Sequence, residues 1–160
     1  FLWYLAVLTK ARRITTWTRY LDWVLSTPVM LVSLGLFFRH RAARDIFGLF
    51  DTYEIYVSLA FNWVMLAFGF GMERTTVVHP AVGLLGGGAA LVGSFTLLAR
   101  TLDSSDVLSN ALFGATYGVW ALYGVAAAFD DIPKNVMYNA IDVVSKNGYG
   151  LFLFVYALTR

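Results

Sequence analysis

The sequence contains no cysteine, and only 14% of its 160 residues are charged. The missing cysteine excludes disulfides, thiolate metal sites and cysteine nucleophiles. Soluble domains carry about 25% charged residues, so this composition argues against an ordinary soluble fold. The net charge is only +2, and no basic stripe or tail is present. We therefore predict no nucleic-acid partner. We also expect no metal site and no enzymatic activity.

Apolar residues are abundant: 59% of the chain is hydrophobic and 17% is aromatic. A membrane-spanning helix needs about 20 mainly apolar residues. Five runs have that length, separated by short polar links, and a shorter apolar run precedes them. They cover residues 17–38, 52–71, 77–98, 107–129 and 135–158, with the fragment at residues 1–8. We predict an all-α, antiparallel transmembrane helical bundle in a lipid bilayer, that is, an integral multi-pass membrane protein.

One charged pair lies within the last apolar run. Asp142 and Lys146 are four residues apart and therefore share one helix face, with Asn139 and Ser145 nearby. Charged groups at membrane depth are costly and usually serve a function. The pair predicts chemistry on the lysine amine; the alternative is an ion pair that only holds helices together.

A second polar set lies in the first long run. Arg19, Asp22, Ser26 and Ser33 are spaced so that they follow one side of a helix. Such a row is a candidate pathway for protons or ions. Asn62 is the polar residue in the apolar centre of the next run and is a candidate member of the same pathway.

Aromatic residues and glycines accompany these polar groups. Trp120 and Tyr123 lie on one helix face, and Gly69 and the run of residues 86–88 remove side-chain volume. Flat side chains beside missing volume suit a slender apolar ligand. Close packing of helices explains the glycines equally well.

These motifs resemble those of one family. The run Arg19-Tyr20-Leu21-Asp22-Trp23-Val24-Leu25-Ser26-Thr27-Pro28 resembles the third-helix signature of microbial (type 1) rhodopsins. Asp142-Val143-Val144-Ser145-Lys146 resembles their seventh-helix signature, and Trp120-Ala121-Leu122-Tyr123 their sixth. Met65 and Gly69 match the spacing of a fourth-helix pocket pair. The sequences around Asn62 and Lys146 are most similar to the branch found in viruses and protists.

The resemblance implies a seven-helix rhodopsin fold. The N-terminal helix and part of the second would be absent from this chain, since it starts within what resembles the second helix. Residues 1–160 would then form a single retinal-binding transmembrane domain. Family members are commonly homo-oligomers, so we expect one here.

The resemblance also implies residue roles. Lys146 would bind all-trans retinal covalently as a protonated Schiff base. Asp22 would be the primary counterion and proton acceptor, Asp142 the second counterion, and Arg19 an organiser of water and charge on the exit side. The expected retinal-lining residues are Tyr20, Trp23, Thr27, Met65, Gly69, Trp120 and Tyr123.

Two departures from the family pattern bear on function. Ser33 stands where proton pumps often have a carboxylic acid, and Lys134 stands where an acid often serves proton release; Asp130 and Asp131 are possible substitutes for the latter. We predict light-driven proton translocation. The alternatives are a light-gated cation channel, with Ser26, Ser33 and Asn62 along the pathway, and a photosensory module with its effector outside this chain.

Overall fold

The computed structural model describes residues 16–74 and 78–159. All regular structure in these two ranges is helical, so the predicted all-α class is confirmed. The elements are α1 (Thr16–Arg41), a 3₁₀ turn (Phe47–Leu49), α2 (Tyr53–Arg74), α3 (Pro80–Ala99), α4 (Val107–Ala127), α5 (Asp131–Asp142), a π-helical segment (Val143–Gly148) and α6 (Tyr149–Leu158). The predicted fragment at residues 1–8 lies outside the described residues.

The ends of the helices differ from the predicted ones by up to four residues. Helix α1 continues through residue 38 to Arg41. Helix α5 begins at Asp131, so the predicted turn at residues 130–134 is wrong. Pro133 is tolerated there because the first helical turn has no intrahelical partner for its backbone N–H groups. Asp131 suits the same turn through its favourable interaction with the helix dipole.

Three helices, α1, α2 and α3, are long and apolar enough to cross a membrane, by length and composition. Large apolar side chains on them face outward, including Leu25 at 73% exposure and Leu85 at 76%. Extended apolar surface is unusual on soluble monomers. In a bilayer such an apolar surface is expected to face the lipid. Helices can occupy this environment because their backbone hydrogen bonds are satisfied within each helix.

The described residues divide into two compact units, residues 16–117 and residues 118–159. In the first unit, small residues bring α2 and α3 together. A Cβ added at Gly86 would lie 2.7 Å from the Phe68 ring, and Ser58 Oγ donates to the Ser94 carbonyl at 3.0 Å. Gly86 therefore serves close helix packing. A Cβ at Gly88, by contrast, would meet no heavy atom of the described residues within 4 Å.

An ion pair joins the last residue of α1 to the residue that precedes α4. Arg41 Nε and Nη2 donate to the two carboxylate oxygens of Asp106 at 2.8 and 2.5 Å. Ser109 Oγ donates to the same carboxylate at 2.5 Å. The hydrogen bonds from Arg41, and then that from Ser109, hold the pKa of the Asp106 carboxyl well below its ordinary value of 3.8.

This pair should make the stability of the first unit pH-dependent. Because the folded-state pKa of Asp106 is lowered, its contribution is fully present above pH ~4 and is lost as the pH falls through the folded value. We expect Asp106→Asn to lower the melting temperature at neutral pH and to flatten its fall in acid. Asp51→Asn, which alters an exposed carboxylate in the connection between α1 and α2, is the control and should leave the profile unchanged. Equal slopes for wild type and Asp106→Asn would contradict the assignment.

Candidate functional site

The Lys146 amine lies beside a buried carboxylate in the second unit. Lys146 Nζ is 3.4 Å from Asp142 Oδ1. The Asp142 side chain is 1% exposed and that of Lys146 is 18% exposed. A carboxylate this deeply buried is costly unless a positive charge and hydrogen bonds accompany it. The arrangement therefore suits a positive charge at the lysine nitrogen.

Tyr123 completes the surroundings of that carboxylate. Its hydroxyl donates to Asp142 Oδ1 at 2.7 Å and lies 3.0 Å from Ser145 Oγ. A phenol has one hydrogen to donate, so Ser145 donates to Tyr123 in this chain of hydrogen bonds. The ring of Tyr138 packs 5.8 Å from that of Tyr123, centroid to centroid. Tyr123 thereby fixes the orientation of Asp142.

The backbone that carries Lys146 is a π-helix, which spans Val143–Gly148. Short π segments within α-helices occur frequently at functional sites, where the wider turn changes the direction of the side chains. The wider turn separates α5 from α6. Apolar periodicity gave no sign of it, and sequence reasoning missed it.

In the first unit, one face of α1 is buried and carries four of the predicted site residues. Arg19, Tyr20, Trp23 and Thr27 are 3%, 6%, 5% and 9% exposed. The guanidinium of Arg19 lies 5.9 Å from the ring centroid of Trp23, within range of a cation–π interaction. Asp22 is half-buried on the same helix.

Thr27 connects α1 to α2 through a buried amide. Asn62 is fully buried, and its Nδ2 donates to Thr27 Oγ1 at 2.9 Å. Thr27 Oγ1 donates in turn to the Trp23 carbonyl at 2.7 Å. Since the threonine hydrogen is already used, Thr27 can only accept from Asn62, which fixes the orientation of the amide. Asn62 Oδ1 has no hydrogen-bond partner within the described residues.

This hydrogen bond gives a stability prediction. Thr27→Val keeps the side-chain shape but leaves the buried Asn62 amide without an acceptor, at a cost of about 1–3 kcal/mol. In an Asn62→Leu background the same change should cost much less, because no amide remains to be satisfied. Thermal or detergent unfolding of the two single variants and the double variant measures the difference. Equal costs in both backgrounds would show that the hydrogen bond contributes little.

The other predicted residues have varied surroundings. Ser33 Oγ donates to the Met30 carbonyl of its own helix at 2.9 Å. Ser26 Oγ is buried and makes no hydrogen bond to the described residues. Met65 and Gly69 are half-buried and Trp120 is 5% exposed. Asp131, a candidate substitute acid, is 89% exposed and pairs with Lys134 Nζ at 2.9 Å.

The structure thus brings some of the predicted residues together, in one group in each unit. Asp142, Lys146 and Tyr123 contact one another in the second unit. The buried face of α1, with Asn62 against it, forms the group in the first unit. Sequence reasoning missed the contacts of Thr27 with Asn62 and of Tyr20 with Glu73, since both connect residues more than 30 positions apart.

Comparison with known proteins decides the family. The sequence model of the family described as "Bacteriorhodopsin-like protein" matches residues 1–160. The chain belongs to this family. It is therefore a microbial (type 1) rhodopsin and an integral multi-pass membrane protein, as predicted.

Relatives of this rhodopsin include two curated archaeal proteins. A Bacteriorhodopsin-II-like protein of Haloquadratum walsbyi is 23% identical over 156 residues, which cover 86% of this chain and 59% of that protein. Sensory rhodopsin-2 of Natronomonas pharaonis is 30% identical over 158 residues, covering 88% of this chain and 62% of that protein. The chain thus spans about three fifths of the length of these relatives.

Among solved structures, the viral rhodopsin OLPVRII is similar to this rhodopsin. The TM-score is 0.87 and the sequence identity 29%. The match covers 99% of this chain and 76% of that structure. This similarity confirms the predicted rhodopsin helical bundle, and its viral source agrees with the branch that the motifs resemble.

Proposed function

We propose that this rhodopsin binds retinal at Lys146 and uses light to translocate protons, with Asp22 as the proton acceptor. The observation that carries the proposal is the 3.4 Å pairing of Lys146 Nζ with the buried Asp142 carboxylate. An amine next to a buried anion suits a cofactor that carries a positive charge on that nitrogen. Retinal bound there would supply light absorption and, after isomerisation, a proton that is held less tightly.

The residues around the nitrogen have separate tasks in this proposal. Asp142 stabilises the positive charge at Lys146, and Tyr123 keeps the carboxylate in place with its 2.7 Å hydrogen bond. Asp22 accepts the proton. Arg19, three residues earlier on α1 and permanently charged, stabilises Asp22 as an anion before it accepts the proton and again after the proton has left.

We propose that retinal contacts the flat or small side chains that the family resemblance implies, which suit a slender apolar ligand. These residues are Tyr20, Trp23, Thr27, Met65, Gly69, Trp120 and Tyr123, of which Tyr20, Trp23, Thr27 and Trp120 are buried. We further propose that residues 1–160 act as one retinal-binding domain and that the rhodopsin forms a homo-oligomer.

Two other functions have some support. The buried Ser26 hydroxyl and the Asn62 Oδ1 atom, with no hydrogen-bond partner among the described residues, could be hydrated in a cation channel. A photosensory role is favoured by the 30% identity to a relative named Sensory rhodopsin-2. Proton translocation is preferred over the channel because Ser33, which would extend a polar pathway, donates to its own helix backbone.

Photocurrents under voltage clamp separate the three functions. The full-length protein is expressed in cells supplied with retinal and illuminated at a series of membrane potentials. A current that keeps one sign at all potentials supports translocation. A current that reverses at the equilibrium potential of an ion identifies a channel. A full cycle of visible absorbance changes without any current identifies a sensor.

A further inference from the structure

A carboxylate from α2 contacts the N-terminal end of α1. The Tyr20 hydroxyl donates to Glu73 Oε1 at 3.1 Å, across 53 positions of sequence. Tyr20 is 6% exposed, whereas Glu73 is half-buried in the last turn of α2. A half-buried carboxylate keeps access to water while one of its oxygens is held in place.

The contact depends on the absence of a side chain at Gly69. A Cβ at Gly69 would lie 2.7 Å from the Tyr20 hydroxyl and 3.4 Å from its ring. The ring is also held by edge contacts with Trp23 and Phe70, at centroid distances of 4.9 and 5.3 Å. The phenol is therefore fixed on three sides with its hydroxyl directed at Glu73.

Glu73 is set apart by its position among the acids of this unit. The other carboxylates of residues 15–117, apart from Asp22, follow the C-terminus of α1, precede α4, or lie in the first turn of α2. They are Asp45, Asp51, Glu54, Asp103 and Asp106. Asp22 is about 9 Å from the N-terminal end of α1, at 1.5 Å per residue. In the described part of this unit, Glu73 is thus the carboxylate that shares an end of the helices with Asp22.

Around the axis of α1, Arg19 lies between Asp22 and Tyr20, the residue that binds Glu73. Each residue of a helix turns about 100° around the axis, so Tyr20 lies about 100° to one side of Arg19. Asp22, three residues after Arg19, lies about 60° to its other side. Asp22, Arg19 and Tyr20 consequently follow one another around α1, and the Glu73 carboxylate is bound to Tyr20. The guanidinium has no proton to release, so it can order water and hold anions but cannot carry the proton itself.

We propose that Glu73 is the terminal proton acceptor on this side of the membrane and that Tyr20 is its positioning residue. The inference rests on the proposed function. The O–H bond at Asp22 breaks, the proton crosses through water around Arg19, and an O–H bond forms at Glu73. The negative charge returns to Asp22, and Glu73 then loses the proton to the bulk.

Time-resolved proton release tests this assignment. The full-length rhodopsin with retinal is excited by a flash, and a pH-sensitive dye follows release while visible absorbance follows the photocycle. We expect Glu73→Gln to delay release about 100-fold, the lower end for a positioned proton-transfer group. Glu73→Asp should restore proton release at the wild-type time. Tyr20→Phe should delay release without abolishing it, because the acid remains but is no longer held.

Glu54→Gln is the matched control. Glu54 is in the first turn of α2, at the opposite end of that helix, with its Oε1 3.7 Å from Arg100 Nη1. This variant should release its proton at the wild-type time. It removes the same chemical group from the same helix, so it shows whether losing any carboxylate of α2 delays proton release.

The outcomes separate this inference from the proposed function. Early release in Glu73→Gln would overturn the role of Glu73 while leaving proton translocation intact. If wild type completes its photocycle with no proton transient, the proposed function fails, and this inference fails with it. If Glu73→Gln does not bind retinal, the infrared difference spectrum of Tyr20→Phe decides. A shifted carboxylic C=O band supports the assignment, and an unshifted band overturns it.

Discussion

Replacing Lys146 with alanine should abolish covalent retinal binding completely. The lysine amine is the only group at this position that can form a bond to the retinal aldehyde, and alanine offers no nucleophile. Regenerated membranes should then lack the visible absorbance band of the wild type. Absorbance spectra before and after treatment with hydroxylamine, which removes bound retinal, measure the effect.

Lys134→Ala is the matched control for this experiment. Lys134 also lies in the second unit, but it pairs with the exposed Asp131 carboxylate rather than with a buried one. Its loss should leave the visible band intact. A band in Lys146→Ala that survives hydroxylamine would refute the assignment of the retinal site, whereas loss of the band in both variants would indicate misfolding.

The helices were predictable because membrane spans follow from the length of apolar runs. The residues at which the helices begin and end were less predictable. The start of α5 at Asp131 depends on first-turn preferences for an acid and for Pro133, and these preferences are weaker than the apolar signal. The predicted and observed starts consequently differ by four residues.

The candidate site was predictable only in its local part. Asp142 and Lys146 were paired correctly from their spacing along one helix. The hydrogen bonds of Thr27 with Asn62 and of Tyr20 with Glu73 depend on how α1 and α2 pack. The π segment at Val143–Gly148 is likewise a departure from regular helix geometry that residue periodicity does not encode.

The roles of the glycines were likewise only partly predictable from sequence. Sequence alone left two explanations for residues 86–88, a ligand pocket and close helix packing. At Gly86 the neighbouring Phe68 ring decides for packing, since no side chain larger than hydrogen fits. Gly69 makes room for the Tyr20 hydroxyl, a purpose that depends on a residue 49 positions away in sequence.

Asp22→Asn should abolish net proton translocation and shift the absorbance of the rhodopsin to longer wavelength. In the proposed function Asp22 is both the proton acceptor and a negative charge near Lys146 Nζ. An anion close to that nitrogen stabilises the positive charge there by Coulomb attraction. Removing it destabilises the ground state, in which the positive charge is localised on that nitrogen, more than the excited state. The energy gap between the ground and excited states therefore narrows, and absorbance moves to longer wavelength.

Asp142→Asn distinguishes the role of Asp142 from that of Asp22, because Asp142 is the carboxylate that the structure places beside Lys146. It is buried and accepts from Tyr123, so its replacement should also lower thermal stability. If Asp22 is the acceptor, Asp142→Asn should retain some photocurrent while Asp22→Asn retains none. A red shift and loss of current confined to Asp142→Asn would instead make Asp142 the dominant counterion and the proton acceptor.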